Sequence, residues 1–339
     1  MAELESKYLI FLGGAESADM AKTGRGLAWW APERCAGQHR LDDGAADVGL
    51  EELGFEAAVA AGAKTLVVGI TGIGGKLHES WIGPLVAGME AGLDLAAGLH
   101  GKLNAHPVLS EAAKRLGRRL IDVRVPPPGI EVGTGRKRTG KRVLMVGTDC
   151  ALGKKFTALA LHTALVEAGA KATFRATGQT GIFIAGEGMP MDSVVADFAS
   201  GAAEQLSPDN DPDHWDVIEG QGSLFHPGFA AVSLGLLHGS QPDALVICHE
   251  AGRETINAYP DFPLPSLTEC IELHLRMARL THPGVRAAAI SLNTSKLDEA
   301  QARDALAAAE RETGLPAADP IRFGAGLLAE AVLKTGAAS

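Results

Sequence analysis

The chain has 339 residues, 46% of them hydrophobic, and a net charge of −10. That length predicts two domains, each able to bury its own core, and the acidic balance argues against general affinity for nucleic acid or anionic membrane. The four cysteines, Cys35, Cys150, Cys248 and Cys270, are too far apart for a zinc site or a disulfide framework, and the acidic N-terminus ahead of a short apolar run is neither signal peptide nor membrane span, so a cytoplasmic protein acting on small molecules is expected.

Short apolar runs alternate with alanine- and leucine-rich stretches, the pattern of an α/β protein with parallel sheets. In the first part strands are expected at Tyr8–Leu12, near Cys35–His39, Thr65–Gly69, near Asp94–Ala97 and at Leu120–Val125. Helices are expected at Gly49–Ala61, Trp81–Ala91 and Leu109–Leu116. Lys22 and Arg25 follow the first strand as candidate anion contacts. Trp29 and Trp30 read as packing or interface aromatics. Residues 67–81, "VVGITGIGGKLHESW", imitate a phosphate loop with Gly72, Gly74, Gly75 and Lys76, although the glycines serve equally for a sharp turn.

Three consecutive prolines and several glycines then break regular structure. Domains are therefore expected at 1–130 and 142–339, joined by a linker at 131–141. The cluster Arg136, Lys137, Arg138, Lys141 and Arg142 enters the next strand at its N-terminal end, whereas such sheets bind ligands at the other end, so it reads as solvated.

The second part opens with a strand at Arg142–Val146 and a helix running to Ala168. Between them lies "GTDCALGKK". Phosphate binding needs inward-turned backbone N–H groups, a helix N-terminus and a lysine. Gly147, Thr148, Asp149, Cys150, Gly153 and Lys154 supply these. Lys155 replaces the hydroxyl residue that binds magnesium in nucleoside-triphosphate enzymes, and Thr157 comes two positions later. A second cation there favours holding phosphate by charge, without a metal.

Further strands are expected at Ala172–Ala176, Asp216–Glu219, Ala244–His249, Ala287–Leu292 and near Pro320–Phe323, with helices at Ser193–Gln205, Leu267–Leu280, Leu297–Thr313 and Gly326–Lys334. Their C-terminal ends carry the remaining candidates. Glu219, His226 and His249 are candidate catalytic groups. Thr177, Gln179, Thr180, Gln221 and Ser223 are candidate substrate contacts in glycine-rich loops, and Arg253 could clamp a carboxylate. Asn293 and Thr294 stand where related folds read a nucleotide base, with a turn, and Ser295 as a helix cap, the alternative.

The form G-T-D-x-x-x-G-K and the segment "IEGQGSLFHP" resemble dethiobiotin synthetase. Together with "TGQTGI", "ADFASGAAE" and "LGLLHGSQPDALVICHE", they resemble over nearly the whole chain a family first described as a domain of unknown function and associated with D-glutamate N-acetyltransferase. The resemblance implies an N-terminal Rossmann-like domain and a C-terminal P-loop domain. It also implies acetyl-CoA as co-substrate on the phosphate loop, with Lys154 and Lys155 meeting its phosphates, and no metal. Glu219 or His226 would be the base, N–H groups between Gly220 and Ser223 the oxyanion donors, and Arg253, Arg175 or Arg25 the partners of the substrate carboxylates. A homo-oligomer is expected. A Mg·ATP-dependent kinase or ligase, using Asp149 and Glu219 as metal ligands, and a nucleotide-responsive binding protein are the alternatives.

Overall fold

A computed structural model describes residues 4–15, 17, 20–70 and 77–337. The glycine-rich imitation of a phosphate loop at Gly72, Gly74, Gly75 and Lys76 lies outside them. The chain folds into two compact units, Met1–Pro127 with Gly178–Ser193, and Pro128–Thr177 with Val194–Ser339. Residues 178–193, read from sequence as part of the second domain, thus pack with the first.

The first unit is built on β1 (Tyr8–Gly13), β2 (Cys35–Arg40), β3 (Thr65–Val68), β4 (Asp94–Ala97) and β5 (Leu120–Asp122). These pair in parallel in the order β2-β1-β3-β4-β5. Helices α1 (Lys22–Trp30), α2 (Phe55–Ala60), α3 (Glu79–Glu90) and α4 (Pro107–Leu116) connect them. Buried runs such as β1 read as unbroken apolar sequence because both faces of a parallel sheet are covered. The helix expected from Gly49 starts only at Phe55, after Gly54. Trp29 is 72% exposed, so it does not pack within its own unit.

In the second unit β6 (Lys141–Gly147) leads into α5 (Lys154–Glu167). Then come β7 (Ala172–Arg175), the first-unit helix α6 (Gln179–Ala185), α7 (Ala199–Leu206), β8 (Trp215–Ile218) and α8 (Ala230–Ser240). The chain continues through β9 (Ala244–Glu250), the hairpin β10 (Thr255–Ile256) and β11 (Tyr259–Pro263), α9 (Leu267–Ala278), β12 (Arg286–Asn293), α10 (Glu299–Thr313), β13 (Ala317–Ala318) and α11 (Gly326–Ala337). Six parallel strands run in the order β13-β12-β9-β6-β8-β7. Val143, Met145, Leu161, Leu165, Trp215, Val246, Leu328 and Val332 form much of the core around them.

Three expectations shift. The helix predicted from Ser193 begins at Ala199, after a short 3-10 turn at Ala196–Phe198. The last strand is Ala317–Ala318, ahead of Asp319 and Pro320. Ser295 is no cap: α10 starts from Asp298, whose carboxylate accepts from Gln301 N in a reciprocal capping box.

The basic cluster is the larger correction. Arg138 and Arg142 are 6% and 0% exposed. The Arg138 guanidinium donates to Ser207 O, Gly239 O and Ser240 O, the carbonyls at the C-terminal ends of α7 and α8. Arg142 reaches Thr139 O, Gly140 O, Ser207 O and Pro208 O. Terminal carbonyls lack partners inside their helix, and cations satisfy both their hydrogen bonding and the dipole. Arg136 and Lys137 remain exposed surface pairs, with Asp209 and Asp243.

Candidate functional site

The strand order assembles the candidates. Loops leave the C-terminal ends of β6, β8 and β9, which are neighbours, with Gly147 opposite Cys248 and Leu144 opposite Ile218. Gly147 must lack a side chain, because a Cβ would lie 2.5 Å from Cys248 O. Gly220 is tighter still, 1.6 Å from Met145 O. Ala151 and Gly153 both adopt positive φ, 52° and 107°, and turn the chain into the N-terminus of α5.

Lys154 is buried and donates to Asp149 O at 2.6 Å. Burial pushes its ammonium pKa down, since desolvation disfavours the charged form. The Asp149 carboxylate is committed inside the protein: Oδ1 accepts from Cys150 N, and Oδ2 from Arg253 Nη1 and Asn257 N. Arg253 also donates to Cys150 O and Ala151 O and pairs with Glu250. It braces the loop and is not a free carboxylate clamp. Arg175 is likewise held, by Asp216.

Thr157 departs from its expected role. It faces the sheet with Ala158, Leu161 and Leu165, and its hydroxyl lies 2.7 Å from that of Ser291. Lys155 is half-buried, with Nζ 4.6 Å above the Phe156 ring.

Glu219 is 4% exposed and accepts from Thr177 N through Oε2 at 2.9 Å. The Thr177 hydroxyl donates to Glu219 O and accepts from Gln221 Nε2, so these three expected residues do come together. Ser223 is fully buried, its hydroxyl donating to Gly147 O, and serves the loop's geometry. His249 Nδ1 lies 2.9 Å from the Thr148 hydroxyl. Burial lowers its pKa from the usual 6.5. His226 is 2% exposed, between the rings of Phe229 and Tyr259.

The remaining candidates have partners of their own. Thr294 directs both its N–H and its hydroxyl to Asp319, and the Asn293 carboxamide oxygen accepts from Ser295 N. They form a braced turn, with the Thr294 hydroxyl committed to Asp319. Gln179 and Thr180, expected in a loop, begin α6 in the first unit. There Thr180 meets Thr23 and Gln179 lies against Gly98.

Asp149, Cys150 and His226 each place one potential metal-ligand atom within 4.8 Å of the others. The Asp149 oxygens already accept from N–H donors, and burial pushes the pKa of the Cys150 thiol up. Those donors would have to be released before Asp149 could hold a cation.

Comparison with known proteins fits this arrangement. Residues 33–126 match a domain of unknown function described as the DUF1611_N Rossmann-like domain, and residues 131–329 match the DUF1611_C P-loop domain. The chain belongs to the DUF1611 family. A crystal structure of a DUF1611 protein from Anabaena variabilis is 35% identical, with a TM-score of 0.85 over 97% of this chain and 100% of that one. A D-glutamate N-acetyltransferase of Tritonibacter scottomollicae is 48% identical over 97% of this chain and 99% of its own length. Another, from a Pseudoalteromonas species, is 42% identical over 95% and 97%. This DUF1611 chain is accordingly an enzyme, an acyltransferase acting on an amino group. Asp319 and Asn257 are supporting residues that motif reasoning passes over. Asn257 contributes through its backbone, which leaves no signal in sequence.

Proposed function

We propose that the protein transfers an acetyl group from acetyl-CoA to the amino group of D-glutamate. The observation that carries this reading is the loop itself. It pairs a buried Lys154 at a helix N-terminus with Lys155, while the Thr157 hydroxyl is turned into the sheet. A diphosphate fits such a cradle through backbone N–H groups and charge. The names of the two relatives supply the acyl acceptor.

Acetyl transfer needs the substrate ammonium to lose a proton before nitrogen can attack the thioester carbon. His249 suits the base role. Its lowered pKa keeps the imidazole neutral near pH 7, and Thr148 orients the ring. Glu219, fixed by Thr177 N, supplies a carboxylate to hold the ammonium beforehand. A magnesium-dependent reading would require Asp149 to give up Arg253 and Asn257.

The test is direct. Pure protein is mixed with D- or L-glutamate and either acetyl-CoA or Mg·ATP. Free thiol released with D-glutamate and acetyl-CoA supports the proposal. ADP formation without thiol release refutes it.

A further inference from the structure

His226 carries a constraint that decides what it can do. Gly228 N donates to its Nδ1 at 3.1 Å. A backbone N–H meets only a lone pair, so the neutral ring carries its hydrogen on Nε2. Phe229 stacks on the ring at 4.5 Å and Tyr259 meets it edge-on at 5.0 Å, which fixes its orientation. Among the described residues nothing hydrogen-bonds to Nε2. That N–H is free to donate, and the ring has a nitrogen within 4.8 Å of potential ligand atoms of both Cys150 and Asp149 on the phosphate loop. An acceptor brought by the ligand explains the arrangement.

We propose that His226 is not the base but the oxyanion donor, giving its Nε2–H to the thioester carbonyl oxygen. The inference rests on the acetyl-transfer reading above. As the amine nitrogen bonds to the carbonyl carbon, the π pair moves onto oxygen, where the His226 N–H stabilises it. When the pair returns, the carbon–sulfur bond breaks. The coenzyme sulfur leaves with the electron pair and takes the nitrogen's remaining surplus proton. A base at this position would have to surrender Gly228 N first, whereas a donor needs no rearrangement.

The experiment compares His226→Leu with His226→Gln, whose amide can still donate. Leucine is expected to lower kcat by about 100-fold or more, with KM for acetyl-CoA changed by no more than a few-fold and the shape of the pH profile retained. Glutamine is expected to recover at least about tenfold of that loss, and nitrogen NMR of the wild-type ring to show the hydrogen on Nε2. Loss of the acidic limb of the pH profile in either variant would mean that His226 is the base and would overturn the proposal. So would a rise in KM with kcat intact, which would place the N–H on a coenzyme phosphate, or a hydrogen found on Nδ1. Absence of acetyl transfer by the wild type overturns the underlying reading as well. Wild-type turnover with an unaffected leucine variant overturns this inference alone.

Discussion

Arg253 Nη1 donates at 2.9 Å to the Asp149 carboxylate and at 2.8 Å to the Cys150 carbonyl, so a guanidinium from beyond the end of β9 holds the phosphate loop in its turned form. A lysine cannot reproduce a planar fork. Arg253→Lys is expected to raise KM for acetyl-CoA by about tenfold, equivalent to about 1.4 kcal/mol, and to leave KM for D-glutamate nearly unchanged. Steady-state kinetics with each substrate varied will check this. A rise confined to D-glutamate would restore the clamp role read from sequence.

Thr157 and Lys155 separate structure from binding within one helical turn. Thr157→Val keeps the shape but leaves the Ser291 hydroxyl without its partner, and should cost about 1–3 kcal/mol in denaturant melts with kcat within a factor of about two. Lys155→Thr removes a charge from the cradle. It should weaken acetyl-CoA binding in calorimetry and leave the melt nearly unchanged.

Gly220 sits where the β8 loop passes against β6. Gly220→Ala places a methyl group 1.6 Å from Met145 O, and backbone cannot yield as a flexible side chain would. The expected cost is about 4 kcal/mol or more, read as loss of soluble protein or a collapsed melting temperature.

His274 makes the second unit acid-sensitive. It is fully buried, Nδ1 contacts Cys270 O at 2.7 Å, and Nε2 has no partner. Burial pushes its pKa down to about 4 from 6.5. A depressed folded-state value means that the unfolded chain binds the proton first. Stability is therefore complete above about pH 6.5 and falls towards pH 4, by about 3 kcal/mol at most. Denaturant melts at pH 7 and pH 5 will show this, and His274→Leu should flatten the difference.

Arg142 is expected to matter for folding and not for the reaction. Arg142→Met leaves several carbonyls at the start of β6 and the end of α7 without donors, and should destabilise by about 3 kcal/mol. Whatever folded enzyme remains should keep its KM for acetyl-CoA. The pair of measurements is a melt and a kinetic assay on the same preparation.

The sequence made the centre of the sheet readable and its supports unreadable. An apolar run from Val143 to Val146 followed by a glycine-bounded turn and an alanine- and leucine-rich stretch admits few folds, and β6, the loop and α5 appear where expected. The inward turn of Thr157 was also available, because it shares a helical face with Leu161 and Leu165. Arg138 looked solvated because its acceptors, Ser207 and Gly239, lie 69 and 101 residues further on. Thr294 looked free for the same reason, with Asp319 25 residues downstream. Charge and polarity are local in sequence, while the partners that neutralise them are supplied by topology.

The placement of residues 178–193 with the first unit has a consequence for how the chain acquires its shape. A nascent polypeptide that has emerged only as far as Pro127 lacks α6, and with it the groups that meet Thr23 and Gly98. The N-terminal unit can finish folding only after β6, the phosphate loop and α5 have already been synthesised. No single cut in the chain can separate the two units intact, so limited proteolysis between 127 and 141 should leave the fragments associated.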